Sequence, residues 1–431
     1  MSRFLNQILD LRYSRVLVKI LDFGGFPNLE WLDLEGCVKL VELDPSLGLL
    51  RKLVYLNVKD CGNLIRIPNN IFGLSSLKDL NMCGCSKLFD DSRHLKKPDI
   101  SSKKKHDISE SASHSRSMPF VFEWTMLLHN SLFPAPTALT YLLHSLRSLY
   151  CLREVDISYC HLSQLPDTIE CLRWLERLNL GGIDFATLPS LRKLSKLVYL
   201  NLEHCRLLEF LPQLPFSNTI EWAHNENKFF STTGLVIFNC PELSDKEHCS
   251  SMTFSWMMQF IQANPPSHFD RIQIVTPGIE IPSWINNRSV DGSIPIDLTP
   301  IMHDNNNNII GFVCCAVFSM APRGEGFSSP ARMELVFDPI DSHKISCMRV
   351  QVILNGFLVL TKSSHLWIIY LPRESYDEFG KIHFDIIRGE GLDMKVKTCG
   401  YRWVCKQDLQ EFNLTMNHEK SLARTCKTLA I

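Results

Sequence analysis

Apolar residues return in a fixed frame through the first half of the chain. Leu29-x-x-Leu32-x-Leu34-x-x-Cys37 is followed by Leu53-x-x-Leu56-x-Val58-x-x-Cys61 and by Leu77-x-x-Leu80-x-Met82-x-x-Cys85, each copy 24 residues after the last. The frame recurs as Leu152-x-x-Val155-x-Ile157-x-x-Cys160, Leu175-x-x-Leu178-x-Leu180 and Leu197-x-x-Leu200-x-Leu202-x-x-Cys205, with Ile183 in the ninth position of the fifth copy. Its internal alternation predicts a short strand whose second and third apolar residues point inward. The cysteine is compact and apolar enough to fit beneath the turn that ends the strand. Leu40, Leu64, Leu88 and Leu208 supply the next inward slot, and Ile67-Pro68, Leu165-Pro166, Leu188-Pro189 and Leu211-Pro212 stop strand pairing and send the chain toward the far side.

This is the leucine-rich repeat frame with its Asn/Cys slot. One such unit cannot bury its own apolar face, so the copies must stack. Leu17-Val18-Lys19-Ile20 matches the second half of a repeat, with no convincing strand before it and no cap on the apolar end, so the chain is expected to start within a larger protein. Between Cys85 and Tyr150 the frame breaks. Residues 90–117 are rich in Ser, Lys and His and read as a disordered loop. Their Lys96-Lys97 and Lys103-Lys104-Lys105 clusters read as solvated loop ahead of a localisation signal or a phosphate contact. Apolar content recovers from Phe120 to Leu149, where one or two degenerate repeats are expected.

After Leu214 the frame fades. Trp256 to Gln262 predicts a short helix ending before Asn264-Pro265-Pro266. Short β-like runs then follow: Ile272 to Val275, Ile309 to Phe318, Met333 to Phe337, Val350 to Leu354, Phe357 to Leu360, Leu366 to Tyr370, Lys381 to Ile387 and Met394 to Val404. Asn355-Gly356 predicts a hairpin, because both residues accept the positive φ of a type I′ turn. Many strands without intervening helices argue for a sandwich. The expected fold is therefore an α/β leucine-rich repeat solenoid followed by an all-β sandwich. It divides into a solenoid over 1–214, a solenoid end and helical linker over 215–270, the β-domain over 271–410 and a tail over 411–431.

Composition changes this picture little. The formal net charge of −1 provides no global field for nucleic acid or an anionic membrane. Sixteen cysteines would suggest disulfides in a small secreted domain, but here many fall in inward slots and others in apolar runs such as Cys314-Cys315, and no signal peptide or span of about 18 apolar residues is visible. A reducing compartment fits, against the sequons at Asn287 and Asn413. Cys83-Gly84-Cys85 and His248-Cys249 lack a second pair at zinc spacing. There is no G-x-S-x-G elbow, and His303-Asp304 beside an asparagine run reads as loop. No cofactor, metal or catalytic residue is expected.

The strand residues that face out of the core are the candidate contacts. On the expected concave side they are Trp31, Asp33 and Glu35; Tyr55, Asn57 and Lys59; Asp79 and Asn81; Glu154, Asp156 and Ser158; Arg177 and Asn179; and Tyr199, Asn201 and Glu203. Aromatic rings among charges on a rigid surface suit recognition of a protein, with no nucleic acid, membrane or small-molecule substrate expected.

Leu53 to Cys61 (LVYLNVKDC) in the repeats and Leu235 to Leu243 (LVIFNCPEL) at their end carry a resemblance, as do Val275 to Ile285 (VTPGIEIPSWI), Gly311 to Phe318 (GFVCCAVF), His365 to Leu371 (HLWIIYL) and Val396 to Gln407 (VKTCGYRWVCKQ). Together they resemble the C-terminal portion of plant intracellular immune receptors of the TIR–nucleotide-binding–leucine-rich-repeat class, over nearly the whole chain. The resemblance implies that the β-domain is the jelly-roll/Ig-like domain following the repeats. It also implies a sensing role in the cytoplasm or nucleus, with a pathogen effector as partner; the alternative is a scaffold or adaptor holding a host receptor chain. The P-loop G-x-x-x-x-G-K-[ST] is absent from this sequence, so the family's nucleotide-exchange and NADase activities are not carried over.

Overall fold

A computed structural model describes residues 7–20, 22–89, 145–162, 164–215, 233–243, 246–263, 271–304, 308–322, 330–340, 348–354, 362–373, 379–388 and 392–411. The basic loop, the degenerate repeats up to residue 144, the Asn355-Gly356 hairpin with Phe357 to Leu360, and most of the tail lie outside them.

Each repeat contributes one very short parallel strand. They are β1 (Ile8–Asp10), β2 (Trp31–Asp33), β3 (Tyr55–Asn57), β4 (Asp79–Asn81), β5 (Glu154–Asp156), β6 (Arg177–Asn179), β7 (Tyr199–Asn201) and β8 (Thr233–Val236), each paired in register with the next. Leu32, Leu56, Leu80, Val155, Leu178 and Leu200 point into the core, as the frame requires. The strands are short for a local reason. The last residue of β2 through β7 is Asp or Asn, and its side-chain oxygen accepts the backbone N–H two residues on, at 2.9–3.1 Å. Such an Asx turn competes with continued pairing and ends the strand.

The turn then passes through a left-handed residue in every repeat: Tyr13, Gly36, Asp60, Gly84, Tyr159, Gly182, His204 and Asn239, with φ between 54° and 72°. In the first seven, the N–H of that residue donates to a carbonyl of the following repeat at 2.6–2.9 Å. A side chain and a glycine alternate there from Tyr13 through His204. A Cβ on Gly182 would stand 2.2 Å from the Tyr159 ring, and one on Gly36 would stand 2.4 Å from the Tyr13 ring. The next residue is the repeat cysteine. Cys37, Cys61, Cys85, Cys160, Cys205 and Cys240 each donate Sγ–H to a carbonyl of the preceding repeat, at 3.0–3.4 Å. Ile183 fills the slot by packing alone.

The return segments are 3-10 turns at Pro45–Leu49, Asn69–Gly73 and Asp167–Cys171, with Pro68 and Pro166 as N-caps of the latter two. Among the described residues of the repeats, these turns stand where the α part of the α/β expectation placed helices. Five residues per return leave room for i→i+3 bonds but not for successive α turns.

Two repeat strands were not legible in the frame. β1 precedes Leu17, using Leu9 and Leu11 as inward residues with Ser14 in the cysteine slot. β8 lies beyond residue 214, with Leu235, Ile237 and Cys240 in the three slots.

The sheet does not stop there. β9 (Ile272–Pro277) pairs parallel with β8 and antiparallel with a C-terminal strand. The remaining strands are β10 (Asn287–Ser289), β11 (Ser293–Pro295), β12 (Ile309–Pro322), β13 (Ala331–Pro339), β14 (Met348–Leu354), β15 (Ser363–Pro372), β16 (Phe379–Arg388) and β17 (Leu392–Cys405). Among the described residues, one sheet runs β1 through β9 and on through β15, β12, β17 and β10, while β11, β16, β13 and β14 make a second sheet. The run Gly311 to Phe318 is apolar throughout because β12 is covered on both faces. Val313, Cys315 and Val317 join the repeat core, while Phe312, Cys314, Ala316 and Phe318 join Phe337, Trp367 and Phe384 between the two sheets. The helix α1 (Lys246–Ala263) is longer than the predicted 256–262 and buries Trp256, Met257 and Phe260 in the repeat core. No helix of the described residues is long and apolar enough to cross a membrane.

Candidate outward face of the repeat sheet

Parallel register turns the first outward residue of each strand into a straight row: Trp31, Tyr55, Asp79, Glu154, Arg177 and Tyr199. At one end the Trp31 and Tyr55 rings stack with centroids 3.6 Å apart and 9° between planes. At the other, the Arg177 guanidinium lies 4.3 Å from the centre of the Tyr199 ring and its Nε 3.8 Å from Glu154 Oε1. Asp79 and Glu154 are cross-strand neighbours between these ends. Burial, and then the adjacent Glu154 charge, push the Asp79 carboxyl up to about 7. Burial also raises Glu154, with Arg177 opposing it. Like charges side by side on a sheet repel, so the middle of the row is a place where an added cation would be stabilised. Burial pushes the Tyr55 and Tyr199 phenols up to about 12, leaving them neutral donors.

The second row behaves differently. Asp33, Asn57, Asn81, Asp156, Asn179 and Asn201 carry the Asx bonds that end the strands. Asn57 Nδ2 also donates to Asp33 Oδ1 at 2.9 Å, and Asn179 Nδ2 to Asp156 Oδ2 at 2.9 Å. Asp33, Asn57 and Asn201 are buried. These side chains face the predicted side but are committed to the backbone, so their geometry serves the fold.

The third row is mixed. Lys59 Nζ pairs with Glu35 Oε1 at 3.3 Å, and Tyr13 OH donates to that same oxygen at 3.0 Å. Ser158 is buried with Oγ donating to Asp156 at 2.6 Å. Glu203 is buried beside His204. Sequence reasoning missed Arg12, whose Nε and Nη2 grip the Asp10 carboxylate at 3.0 and 2.7 Å at the edge of this face. It was missed together with β1.

A separate cavity of about 470 Å³ opens in the C-terminal part beside Asn286, Asp297, Arg402, Trp403 and Asp408. Arg402 is held there by Trp284 O at 2.8 Å and by an ion pair with Asp408. Among the described residues no group of three His, Cys, Asp or Glu side chains is arranged to hold a metal ion.

Comparison with known proteins bears on both halves. Residues 276–410 match the C-JID domain family. Over 324 residues, 68% of the chain, the sequence is 26% identical to Disease resistance-like protein DSC1 of Arabidopsis thaliana, covering 26% of that protein. It is 29% identical over 232 residues to TMV resistance protein N of Nicotiana glutinosa, covering 47% of this chain and 20% of that one. The chain thus spans about a quarter of the length of these relatives. A solved leucine-rich repeat protein of Leptospira interrogans aligns with 56% of this chain and 67% of its own, at 15% identity and a TM-score of 0.25, too low to bear on the argument.

Proposed function

We propose that this chain, which carries a C-JID domain and is homologous to plant disease resistance proteins of the TIR–nucleotide-binding–leucine-rich-repeat class over much of its length, is the protein-recognition part of an intracellular immune receptor and performs no catalysis itself. In this reading residues 1–214 are a curved solenoid, 215–270 its end and linker, 271–410 a jelly-roll/Ig-like sandwich and 411–431 a tail. The partner is a pathogen effector, met in the cytoplasm or nucleus by the first outward row and by loops of the sandwich.

The observation that carries the reading is the in-register row on a sheet that continues without a break into the C-JID region. Its chemistry describes the partner. A flat apolar or aromatic group rests against Trp31 and Tyr55, a basic side chain sits over Asp79 and Glu154, and an acidic or aromatic group meets Arg177 and Tyr199. Buried aromatic anchors and a desolvated charge pair supply most of the energy in such interfaces.

The test is affinity capture from plant tissue, challenged and unchallenged, with the parent and with W31A/Y55A/Y199A, each first checked for an unchanged fold. A pathogen protein retained by the parent and lost by the variant supports the proposal. Equal retention by both refutes the role of the row. Recovery of only a host receptor chain moves the reading to the adaptor alternative.

A further inference from the structure

The hydrogen-bond ladder through the left-handed turns has an irregular last rung. From Tyr13 to His204, the N–H of the turn residue donates to a backbone carbonyl of the next repeat. Asn239 occupies that position after β8, and its N–H donates instead to Nε2 of His365, at 3.2 Å, 126 residues away on β15. The imidazole stands where a ninth repeat would have placed a carbonyl. Both residues are buried, Asn239 at 6% exposure and His365 at 2%. The His365 ring is clamped: Phe318, its cross-strand neighbour on β12, stacks on it at 5.6 Å, and Phe238 lies against it at 4.8 Å.

The same rung reaches back into the repeats. Asn239 Nδ2 lies 2.7 Å from His204 Nδ1, and His204 Nε2 lies 3.1 Å from Glu203 Oε1. The contact that bears on His365 has one polarity: a backbone N–H can only donate, so Nε2 of His365 accepts from Asn239 through an unprotonated lone pair.

The two histidines differ in what a proton does to them. Protonated His204 would present N–H toward the Asn239 side chain, which can rotate its oxygen to accept. Protonated His365 would present N–H toward a backbone N–H, which cannot rotate. Titratable groups near His365 include His204 and Glu203, reached across Asn239, and Lys397, whose Nζ donates to the adjacent Ser364 Oγ at 3.0 Å. β9 and β12 meet the ring with Pro277 and Phe318.

We infer that His365 is the terminal acceptor of the repeat ladder, a clasp that ties the order of the last repeat to the C-terminal sheet and opens when the imidazole takes up a proton. Without it the buried Asn239 N–H loses this acceptor.

The test is hydrogen exchange of the full chain, resolved to the segment 233–243 and corrected for intrinsic exchange, at pH 7.5 and pH 5. The parent, H365F and H365Q are compared. Phe keeps the ring between Phe238 and Phe318 without an acceptor; Gln places an oxygen near the Nε2 position and does not titrate. H365F should raise exchange of the segment about tenfold at both pH values, a loss of about 1.4 kcal/mol. The parent should show the same rise only at pH 5, and H365Q at neither. Unchanged exchange in H365F, or an acid response in H365Q equal to the parent's, overturns the inference. If H365F does not fold, the parent and H365Q still decide it.

Discussion

Placing a methyl group on Gly182 probes the repeat turn most directly. Two costs are visible. The residue sits at φ +66°, where any Cβ is strained, at about 1–2 kcal/mol. A Cβ there would also stand 2.2 and 2.3 Å from Cδ1 and Cε1 of Tyr159, so the ring of the preceding repeat must move, at about 1–3 kcal/mol for forced overpacking. G182A should therefore lose about 2–5 kcal/mol, the sum of those two contributions. The contributions can be separated. In Y159A/G182A the clash is gone and the strained backbone remains, so the double variant should be less destabilised than the sum of the singles by about 1–3 kcal/mol. G62A is the control, because a Cβ on Gly62 meets nothing within 4 Å. Urea unfolding followed by circular dichroism gives the midpoints. A G182A midpoint matching that of G62A, or strict additivity in the cycle, would refute the idea that the turn needs glycine for both reasons.

Two further outcomes separate fold from recognition on the outward face. N57A removes the acceptor of the Lys59 N–H and the donor to Asp33 and should cost about 1–3 kcal/mol, whereas W31A should leave stability nearly unchanged and act on binding; comparable denaturation midpoints for the two would contradict this division. For Asp79, the folded carboxyl at about 7 lies above its ordinary 3.8, so the native state holds the extra proton in that window and this group lowers stability as pH rises through it. D79N should flatten that slope and be more stable than the parent above pH 7, and equal pH profiles for the two proteins would count against the buried carboxyl.

The repeats were legible because their frame is dictated by sterics within one turn of chain: alternate inward leucines and a thiol slot leave few other residues acceptable. β8 was hidden because some 30 residues separate it from β7, and its first outward position, Gly234, in register with Tyr199, carries no side chain. β1 was hidden because serine replaces cysteine at position 14. Alternation assigns a strand residue to one side of the sheet, but it does not say whether that side chain is used by its own backbone. That signal was present. The strands β1 to β7 all end in Asp or Asn, at Asp10, Asp33, Asn57, Asn81, Asp156, Asn179 and Asn201, and a contact surface has no reason for such uniformity, whereas an Asx turn does. The last rung could not be read, because its donor and acceptor are 126 residues apart and neither carries a local pattern.

The thiol, turn and Asx bonds are nearly the same from one repeat to the next. A chain that gained or lost a whole unit between β1 and β7 would therefore rejoin closely similar joints, with Ile183 showing that even the thiol bond is dispensable in one of them. The joint between the turn after β8 and β15 differs from the seven before it among the described residues, since there an imidazole accepts in place of a backbone carbonyl. Exchange of a whole upstream repeat would therefore alter the outward row while reforming the same kinds of bond, whereas exchange of the terminal repeat would have to preserve a turn that meets His365.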